Sequence, residues 1–200
     1  MTDIDTSNQA KYRAAESNFV VKALIGWLFR SVAATLATFS PQSILDAGCG
    51  EGHALDYLPA PAHYVGIDVN PDCINYCREK YPARQFAVES VLALPFADQE
   101  FDVVLCMEVL EHLEHPTKAV RELARIAKHG IVLTVPFEPV FQAGNAMRGK
   151  YLATFGNHPE HIQHWGPFSF ARFLRATNIL RDVKVKIAGT WLVASARPAR

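Results

Sequence analysis

The sequence predicts an α/β domain built on a doubly wound, mostly parallel seven-stranded sheet that ends in an antiparallel hairpin. After residue 40, apolar runs of strand length alternate with helical patterns, as they do in chains of strand–helix–strand units. These runs are almost continuously apolar, which is typical of parallel strands that helices cover on both faces. The chain has 200 residues, half of them apolar, and this suffices for one domain (residues 1–200) with its own core.

The first 40 residues are expected to form a helical cap before the first strand. The apolar stretch from Phe19 to Phe39 is as long as a membrane span, but Lys22, Arg30 and several Ser and Thr residues interrupt it. We therefore expect an amphipathic helix without stable membrane insertion. The polar start MTDIDTSNQ does not resemble a signal peptide. Because four cysteines are also too few for a disulfide scaffold, the sequence predicts a cytoplasmic protein.

Five apolar runs are predicted as the parallel strands, and a hairpin follows them. The runs are residues 43–47, 63–68, 84–89, 101–106 and 130–135. One helix is expected to begin at Asn70, and another to run from Pro116 to Lys128 and stop at Gly130. Residues 182–196 are interpreted as two strands joined by an Ala-Gly turn, and such a pair is antiparallel.

The charges exclude a strong net field over the whole molecule. Basic and acidic side chains number 20 each, so nothing draws the protein as a whole onto nucleic acid or an anionic membrane. The balance is uneven, because residues 41–147 carry 7 basic and 15 acidic side chains and residues 148–200 carry 9 and 2. We expect no nucleic-acid partner and interpret most of these basic residues as a solvated face.

Three alternate glycines directly follow the first predicted strand, in the segment ILDAGCGEGH: Gly48, Gly50 and Gly52. Ligands of doubly wound sheets bind at the carboxyl ends of the strands, and glycine lets the backbone turn tightly and approach a ligand closely. Asp68 ends the second strand, 20 residues after Gly48, at the separation where a carboxylate reaches ribose hydroxyls. The sequence therefore predicts a nucleoside ligand, with a turn that binds nothing as the alternative.

Asp46 indicates which nucleoside ligand the site would bind. Its carboxylate would repel a pyrophosphate beside the glycine turn, and His53 stands where a dinucleotide pattern has its third glycine. A carboxylate there suits a ligand with an ammonium group and no phosphate. S-adenosylmethionine carries an aminoacyl end, a ribose and an adenine, which match Asp46, the glycine turn and Asp68.

Three stretches together make the pattern specific. ILDAGCGEGH, VGIDVN and ALPFADQEFDVVLCMEVLEHLEHP follow one another between residues 40 and 136. The first stretch is similar to the first motif of the class I S-adenosylmethionine-dependent methyltransferases, and the second stretch to their second motif. The third stretch is similar to their third and fourth motifs. The chain resembles that family, which implies a Rossmann-like fold and a methyltransferase with S-adenosylmethionine as its cofactor.

The resemblance also assigns roles to single residues. It implies that the three glycines line the methionine and ribose part and that Asp68 binds the ribose hydroxyls. It implies that Val69 packs on the adenine, and that Met107 and Glu108 face the sulfonium end. Relatives often have an acidic contact to the adenine amino group after the third strand, and here Glu89 and Ser90 are the two options for it.

Transfer from a sulfonium mainly requires that donor and acceptor are held in line. A hydroxyl acceptor also needs a general base, which is usually histidine. His112 lies in EVLEHLEH after the fourth strand, four residues past Glu108 and on the same face if the segment is helical. The alternative is that His112 only caps or packs beside the site.

Residues 136–170 form a long connection after the fifth strand, and such connections are usually functional. We expect an acceptor-side insertion whose aromatic residues build an apolar lid, the alternative being a self-packed surface loop. The lid would take a small, apolar or aromatic acceptor, with O-methylation favoured over N- or C-methylation. The candidate general bases are then His112, His161 and His164. The aromatic residues are Phe137, Phe141, Tyr151, Phe155, Trp165, Phe168 and Phe170.

No metal is expected to take part. His158, His161 and His164 are three residues apart, but Pro159 and Gly166 interrupt the helix they would need to share. Two other functions stay open. One is a regulatory protein that binds the cofactor without turnover, and the other is a dehydrogenase, which the broken glycine pattern disfavours.

Overall fold

The computed structural model describes residues 19–58, 62–138 and 162–200. In these residues seven strands form one sheet: β1 (Ser43–Ala47), β2 (His63–Asp68), β3 (Gln85–Val88), β4 (Phe101–Met107), β5 (Ala127–Pro136), β6 (Leu180–Ala188) and β7 (Trp191–Pro198). The helices are α1 (Phe19–Ala37), α2 (His53–Tyr57), α3 (Pro71–Lys80), α4 (Pro116–Ile126) and α5 (Pro167–Ala176). A 3-10 turn covers Leu110–His112.

The strands lie in the order β3-β2-β1-β4-β5-β7-β6. Strands β1 to β5 are mutually parallel, and β7 is antiparallel to both β5 and β6. The predicted fold class is therefore confirmed, and the hairpin places β7 inside the sheet and β6 at its edge. Because β1 lies between β2 and β4, the carboxyl ends of these three strands meet at one edge of the sheet, where doubly wound folds bind their ligands.

Helices cover both faces of the sheet. On one face, α4 and α5 bury Val120, Leu123, Phe170 and Leu174 in a large apolar cluster. On the other face, α1, α2 and α3 pack over the central strands in a second cluster. The strands between these layers are buried on both sides, which explains why their sequences are almost continuously apolar.

The end of α4 differs from the prediction. The helix ends at Ile126 and β5 begins at once at Ala127, so the expected helix to Lys128 with a stop at Gly130 is wrong. Gly130 is a buried strand residue, and a Cβ there would overlap the ring of Phe39. This glycine is required for close packing against the end of the helical cap, and not for a turn.

The N-terminal helix α1 packs through its second half. Leu28, Phe29, Val32 and Leu36 are buried in the second core cluster, whereas Phe19 at its start is exposed. Among the described helices, α1 alone has the length and apolar composition that a membrane span requires.

Candidate functional site

The glycine turn after β1 is left-handed at all three glycines, with φ of 83° at Gly48, 52° at Gly50 and 75° at Gly52. The amides of Gly48 and Cys49 both donate to the carbonyl oxygen of Ile67 at 2.8 Å, and these bonds fold the turn back over the end of β2. Residues with side chains adopt such φ values only at an energetic cost. The backbone conformation therefore accounts for the alternating glycines.

The space around each glycine differs. A Cβ on Gly48 would overlap the side chain of Val109, and a Cβ on Gly52 would lie 2.8 Å from the Tyr81 ring. A Cβ on Gly50 would meet no described atom within 4 Å. Gly48 and Gly52 thus allow the turn to pack against its neighbours, whereas Gly50 leaves open space in which a ligand can approach the backbone.

Asp68 links this turn to the end of β2. Its Oδ2 accepts from the amide of Gly50 at 2.9 Å, and its Oδ1 accepts from the amide of Asn70 at 2.9 Å. Each carboxylate oxygen keeps a second lone pair for a further donor. The acid is half-buried beside the open space at Gly50, so the two features that predict a nucleoside ligand lie together.

Asp46 lies deeper than the sequence suggests. Only 2 % of the residue is exposed, and the hydroxyl of Tyr64 donates to its Oδ2 at 2.6 Å. Burial raises the pKa of Asp46 to about 7, and the Tyr64 hydrogen bond opposes part of that rise. Sequence reasoning missed Tyr64, because a tyrosine in an apolar run gives no sign of its partner. A role of Asp46 toward a ligand ammonium group stays a prediction.

Two thiols lie beneath the turn. The Sγ atoms of Cys77 and Cys49 lie 3.2 and 3.6 Å from the carbonyl oxygen of Gly50. Hydrogen bonding with Cys77 and burial raise the pKa of Cys49, which keeps this thiol protonated as a donor. Cys77 is buried in the core, Cys73 is half-buried, and all four cysteines are free.

The residues assigned to the adenine lie at the ends of β2 and β3. Val69 is 53 % exposed, as an apolar platform for a ring has to be. The Glu89 amide donates to the carbonyl oxygen of Asp68 at 3.1 Å, and the Ser90 hydroxyl accepts from the amide of Leu92 at 3.3 Å. Glu89 and Ser90 are both half-buried, and the choice between them stays open.

Met107 and Glu108 lie at the end of β4, next to the glycine turn. Met107 is the last strand residue. Glu108 is left-handed, with φ of 55°, and its carboxylate accepts from the hydroxyl of Thr134 and the indole of Trp191, each at 2.9 Å. Sequence reasoning missed both donors. Thr134 gave a usable signal as the only polar residue in the apolar run GIVLTV.

His112 is not on a helix with Glu108. Glu108 has a left-handed backbone, and the chain then enters the 3-10 turn that ends at His112. The segment from Glu108 to His112 is therefore not an α-helix, and the expectation that the two side chains share one helix face is wrong. The Nε2 of His112 lies 3.9 Å from Oε1 of Glu111, which is buried. A general-base role for His112 stays a prediction.

His164 pairs with a buried acid. Its Nδ1 lies 3.7 Å from Oε1 of Glu138, whose side chain is 4 % exposed, whereas that of His164 is 38 % exposed. The carbonyl oxygen of Glu111 accepts from the amides of Ile162 and Gln163, which places the His164 segment beside the turn that carries His112. Sequence reasoning missed Glu138. His161 lies outside the described residues, as do His158, Phe141, Tyr151 and Phe155.

Two of the aromatic residues expected in the lid belong to the core. Trp165 and Phe170 are 7 % and 0 % exposed, and their rings pack 5.2 Å apart in the cluster under α5. Their assignment to an acceptor lid is therefore wrong. Phe168 is 91 % exposed, and Phe137 packs against the core and pairs with Trp165 in a short parallel bridge.

The described side chains contain no group of three or more histidine, cysteine, aspartate or glutamate residues placed to hold a metal ion. They do fit S-adenosylmethionine. The open space at Gly50 leaves room for a ligand, Asp68 has acceptor oxygens beside that space, and the Glu108 side chain follows β4 on the other side of the turn.

Comparison with known proteins agrees with this geometry. A family model described as a methyltransferase domain matches residues 45–135. A fatty-acid O-methyltransferase of Mycolicibacterium smegmatis is 34 % identical over 108 residues, which are 52 % of this chain and 39 % of that protein. A probable S-adenosylmethionine-dependent methyltransferase of Mycobacterium tuberculosis is 33 % identical over 95 residues, 47 % of this chain and 35 % of that protein. The chain thus spans well under half the length of these two relatives.

Among solved structures, the magnesium protoporphyrin IX methyltransferase of Synechocystis PCC 6803, crystallised with bound S-adenosylhomocysteine, superposes with a TM-score of 0.70. The match covers 97 % of this chain and 95 % of that one at 17 % identity. At this identity the likeness concerns the fold.

Proposed function

We propose that this chain, which matches a methyltransferase domain over residues 45–135, is a class I S-adenosylmethionine-dependent methyltransferase that transfers a methyl group to a small acceptor. The observation that carries this proposal is the pairing of the Gly50 amide with the Asp68 carboxylate beside open space. The bound donor supplies an electrophilic methyl group on a sulfonium. The residues of the chain bind and orient it.

The order of strands supports one orientation of the donor. Asp68 and Val69 follow β2, and Glu89 follows β3, so the nucleoside lies over that half of the sheet. The glycine turn follows β1, and Glu108 follows β4 on the far side of the turn. The methionine end and its methyl group then lie toward β4 and β5, where His112 and His164 also lie.

We propose that the acceptor is apolar or aromatic and is methylated on oxygen. The Glu138–His164 pair supports this, because a carboxylate beside a histidine orients the ring for proton transfer. Such a pair is useful for an alcohol or a phenol, which must lose a proton during transfer. The methylation of fatty acids named for the Mycolicibacterium relative also agrees with an apolar acceptor and an oxygen nucleophile.

A transfer assay with isotope-labelled S-adenosylmethionine tests the proposal. We expect label in products from a panel of long-chain alcohols, phenols and fatty acids, and none from a matched panel of polar amines. Chelation by EDTA is expected to leave the rate unchanged, because we propose no metal step. If the protein binds S-adenosylhomocysteine but no acceptor in either panel is labelled, the regulatory alternative without turnover replaces this proposal.

A further inference from the structure

Glu108 has an unusual backbone for its residue type. It follows β4 with φ of 55°, a conformation that is costly for any residue with a side chain. Its amide donates to the carbonyl oxygen of Thr134 at 3.1 Å, which ties it to the neighbouring strand β5. Left-handed residues other than glycine concentrate at functional sites, where surrounding contacts hold them in place. The strained backbone at Glu108 therefore suggests that its side chain is held for a function.

Two donors hold the carboxylate. The hydroxyl of Thr134 donates to Oε1 and the indole Nε1 of Trp191 donates to Oε2, each at 2.9 Å. Thr134 is fully buried, and Trp191 opens β7 directly after the hairpin turn. The carboxylate is thus fixed from two strands that do not carry it. Both of these donors are neutral, and together they fix the orientation of the acid.

The backbone that carries this carboxylate lies beside the glycine turn. Val109, the next residue, occupies the space that a Cβ on Gly48 would enter, so the Glu108 backbone and the turn are in close proximity. With the nucleoside over β2 and β3, the part of the donor that reaches Glu108 is its methionine end. That end carries two positive charges, the sulfonium and the ammonium, and only the sulfonium changes during the reaction.

We infer that Thr134 and Trp191 are positioning residues that hold the Glu108 carboxylate toward the sulfonium, so that the site prefers the charged methyl donor over its neutral product. The inference rests on the proposed function. In the transfer, the bond between sulfur and the methyl carbon breaks, its electron pair stays on sulfur, and the methyl carbon bonds to the acceptor. Sulfur then has no charge, and the attraction to Glu108 is lost when the product must leave.

Calorimetric titration with S-adenosylmethionine and S-adenosylhomocysteine separately tests the inference without any acceptor. Glu108→Gln keeps the shape and removes the charge, and we expect it to weaken S-adenosylmethionine binding about tenfold while S-adenosylhomocysteine changes less than about twofold. Trp191→Phe and Thr134→Val each remove one donor and should shift the ratio of the two affinities in the same direction, by about threefold.

A matched control is available in the chain. Glu114→Gln removes an exposed charge from the same segment. It should leave the ratio unchanged. If Trp191→Phe fails to fold in thermal unfolding, Thr134→Val, which preserves side-chain shape, carries the test of positioning.

An unchanged affinity ratio in Glu108→Gln overturns the inference. An equal loss for both ligands also overturns it, since that result assigns Glu108 to the ammonium that they share. A wild-type protein that binds neither ligand instead contradicts the proposed function, and so the two failures are distinguishable.

Discussion

The Oδ2 atom of Asp68 accepts a hydrogen bond from the amide of Gly50 at 2.9 Å, which joins the turn after β1 to the end of β2. The acid expected to bind ribose hydroxyls therefore also shapes the turn without a ligand. Binding sites that are formed in advance lose less conformational entropy when the ligand arrives. We propose that these two residues form the nucleoside part of a methyl-donor site.

Gly50→Ala and Gly48→Ala should separate binding from folding. At Gly50 a methyl group meets only open space, so we expect a loss of about 1 kcal/mol in unfolding free energy, from the positive φ. The same methyl group should abolish S-adenosylhomocysteine binding in calorimetry, because it fills the space left for the ligand. At Gly48 a methyl group overlaps Val109, and the fold itself should be destabilised. Tight ligand binding by Gly50→Ala contradicts this assignment.

The buried acid Asp46 should make stability depend on pH. Burial raises its folded-state pKa from 3.8 to about 7, so between these values the folded state binds more protons than the unfolded state. The contribution of protonated Asp46 is full below about pH 4 and is lost as pH rises through 7, by at most about 1.4 kcal/mol per unit. Asp46→Asn cannot titrate, and urea unfolding should show its stability rising relative to wild type from pH 5 to pH 8.

The exposed acid Asp72 provides the control for that comparison. For Asp72→Asn, the difference in unfolding free energy from wild type should stay nearly constant over the same pH range. If the difference for Asp46→Asn is also constant, the buried carboxyl does not titrate as described.

The sequence was sufficient to predict the sheet and the position of Asp68 beside the glycine turn. Strand runs and the glycine turn are local patterns, and the distance from Gly48 to Asp68 is a property of one strand–helix–strand unit. Such local patterns predict where Gly48 and Asp68 lie, because consecutive strands of one strand–helix–strand unit place their carboxyl ends at the same edge of the sheet.

Other features depend on contacts between distant segments, which no local pattern carries. Trp191 reaches Glu108 across 83 residues, and Tyr64 reaches the buried Asp46 only because β1 and β2 pair. The stop expected at Gly130 was wrong for a related reason. Glycine marks turns in sequence patterns, but here it accommodates the ring of Phe39, which comes from a different element.

Trp165 should now behave as a core residue. Trp165→Ala removes a buried indole that packs against Phe170 and Phe173, and we expect the free energy of unfolding to fall by about 3–5 kcal/mol in urea titration. Phe168→Ala, in a residue that is 91 % exposed, should change stability by less than about 0.5 kcal/mol. Similar small effects for both would show that Trp165 lies at the surface.

His164 should matter for transfer and not for donor binding. With a long-chain alcohol or phenol as acceptor, His164→Ala should lower kcat by about 10²–10⁴-fold and remove the decline of kcat/KM toward acidic pH. S-adenosylhomocysteine affinity should be unchanged. Glu138→Gln should lower kcat less, because the histidine remains but loses its carboxylate partner.

The same measurements on His112→Ala and His161→Ala identify the base among the three candidates. Full rates and an unchanged pH profile in all three variants would mean that the acceptor needs no base. The methylated atom would then be nitrogen, sulfur, an activated carbon or an already ionised carboxylate.

Calorimetric binding of S-adenosylhomocysteine to wild type and to Asp68→Ala decides whether Asp68 belongs to the nucleoside site. We predict micromolar affinity for the wild type and a loss of about tenfold or more in the variant, because charge-assisted hydrogen bonds to the ribose and the Gly50 amide disappear together. Asp72→Ala, on the adjoining helix, should bind as the wild type does. Unchanged affinity in Asp68→Ala, with both proteins folded by circular dichroism, would contradict the assignment of the site.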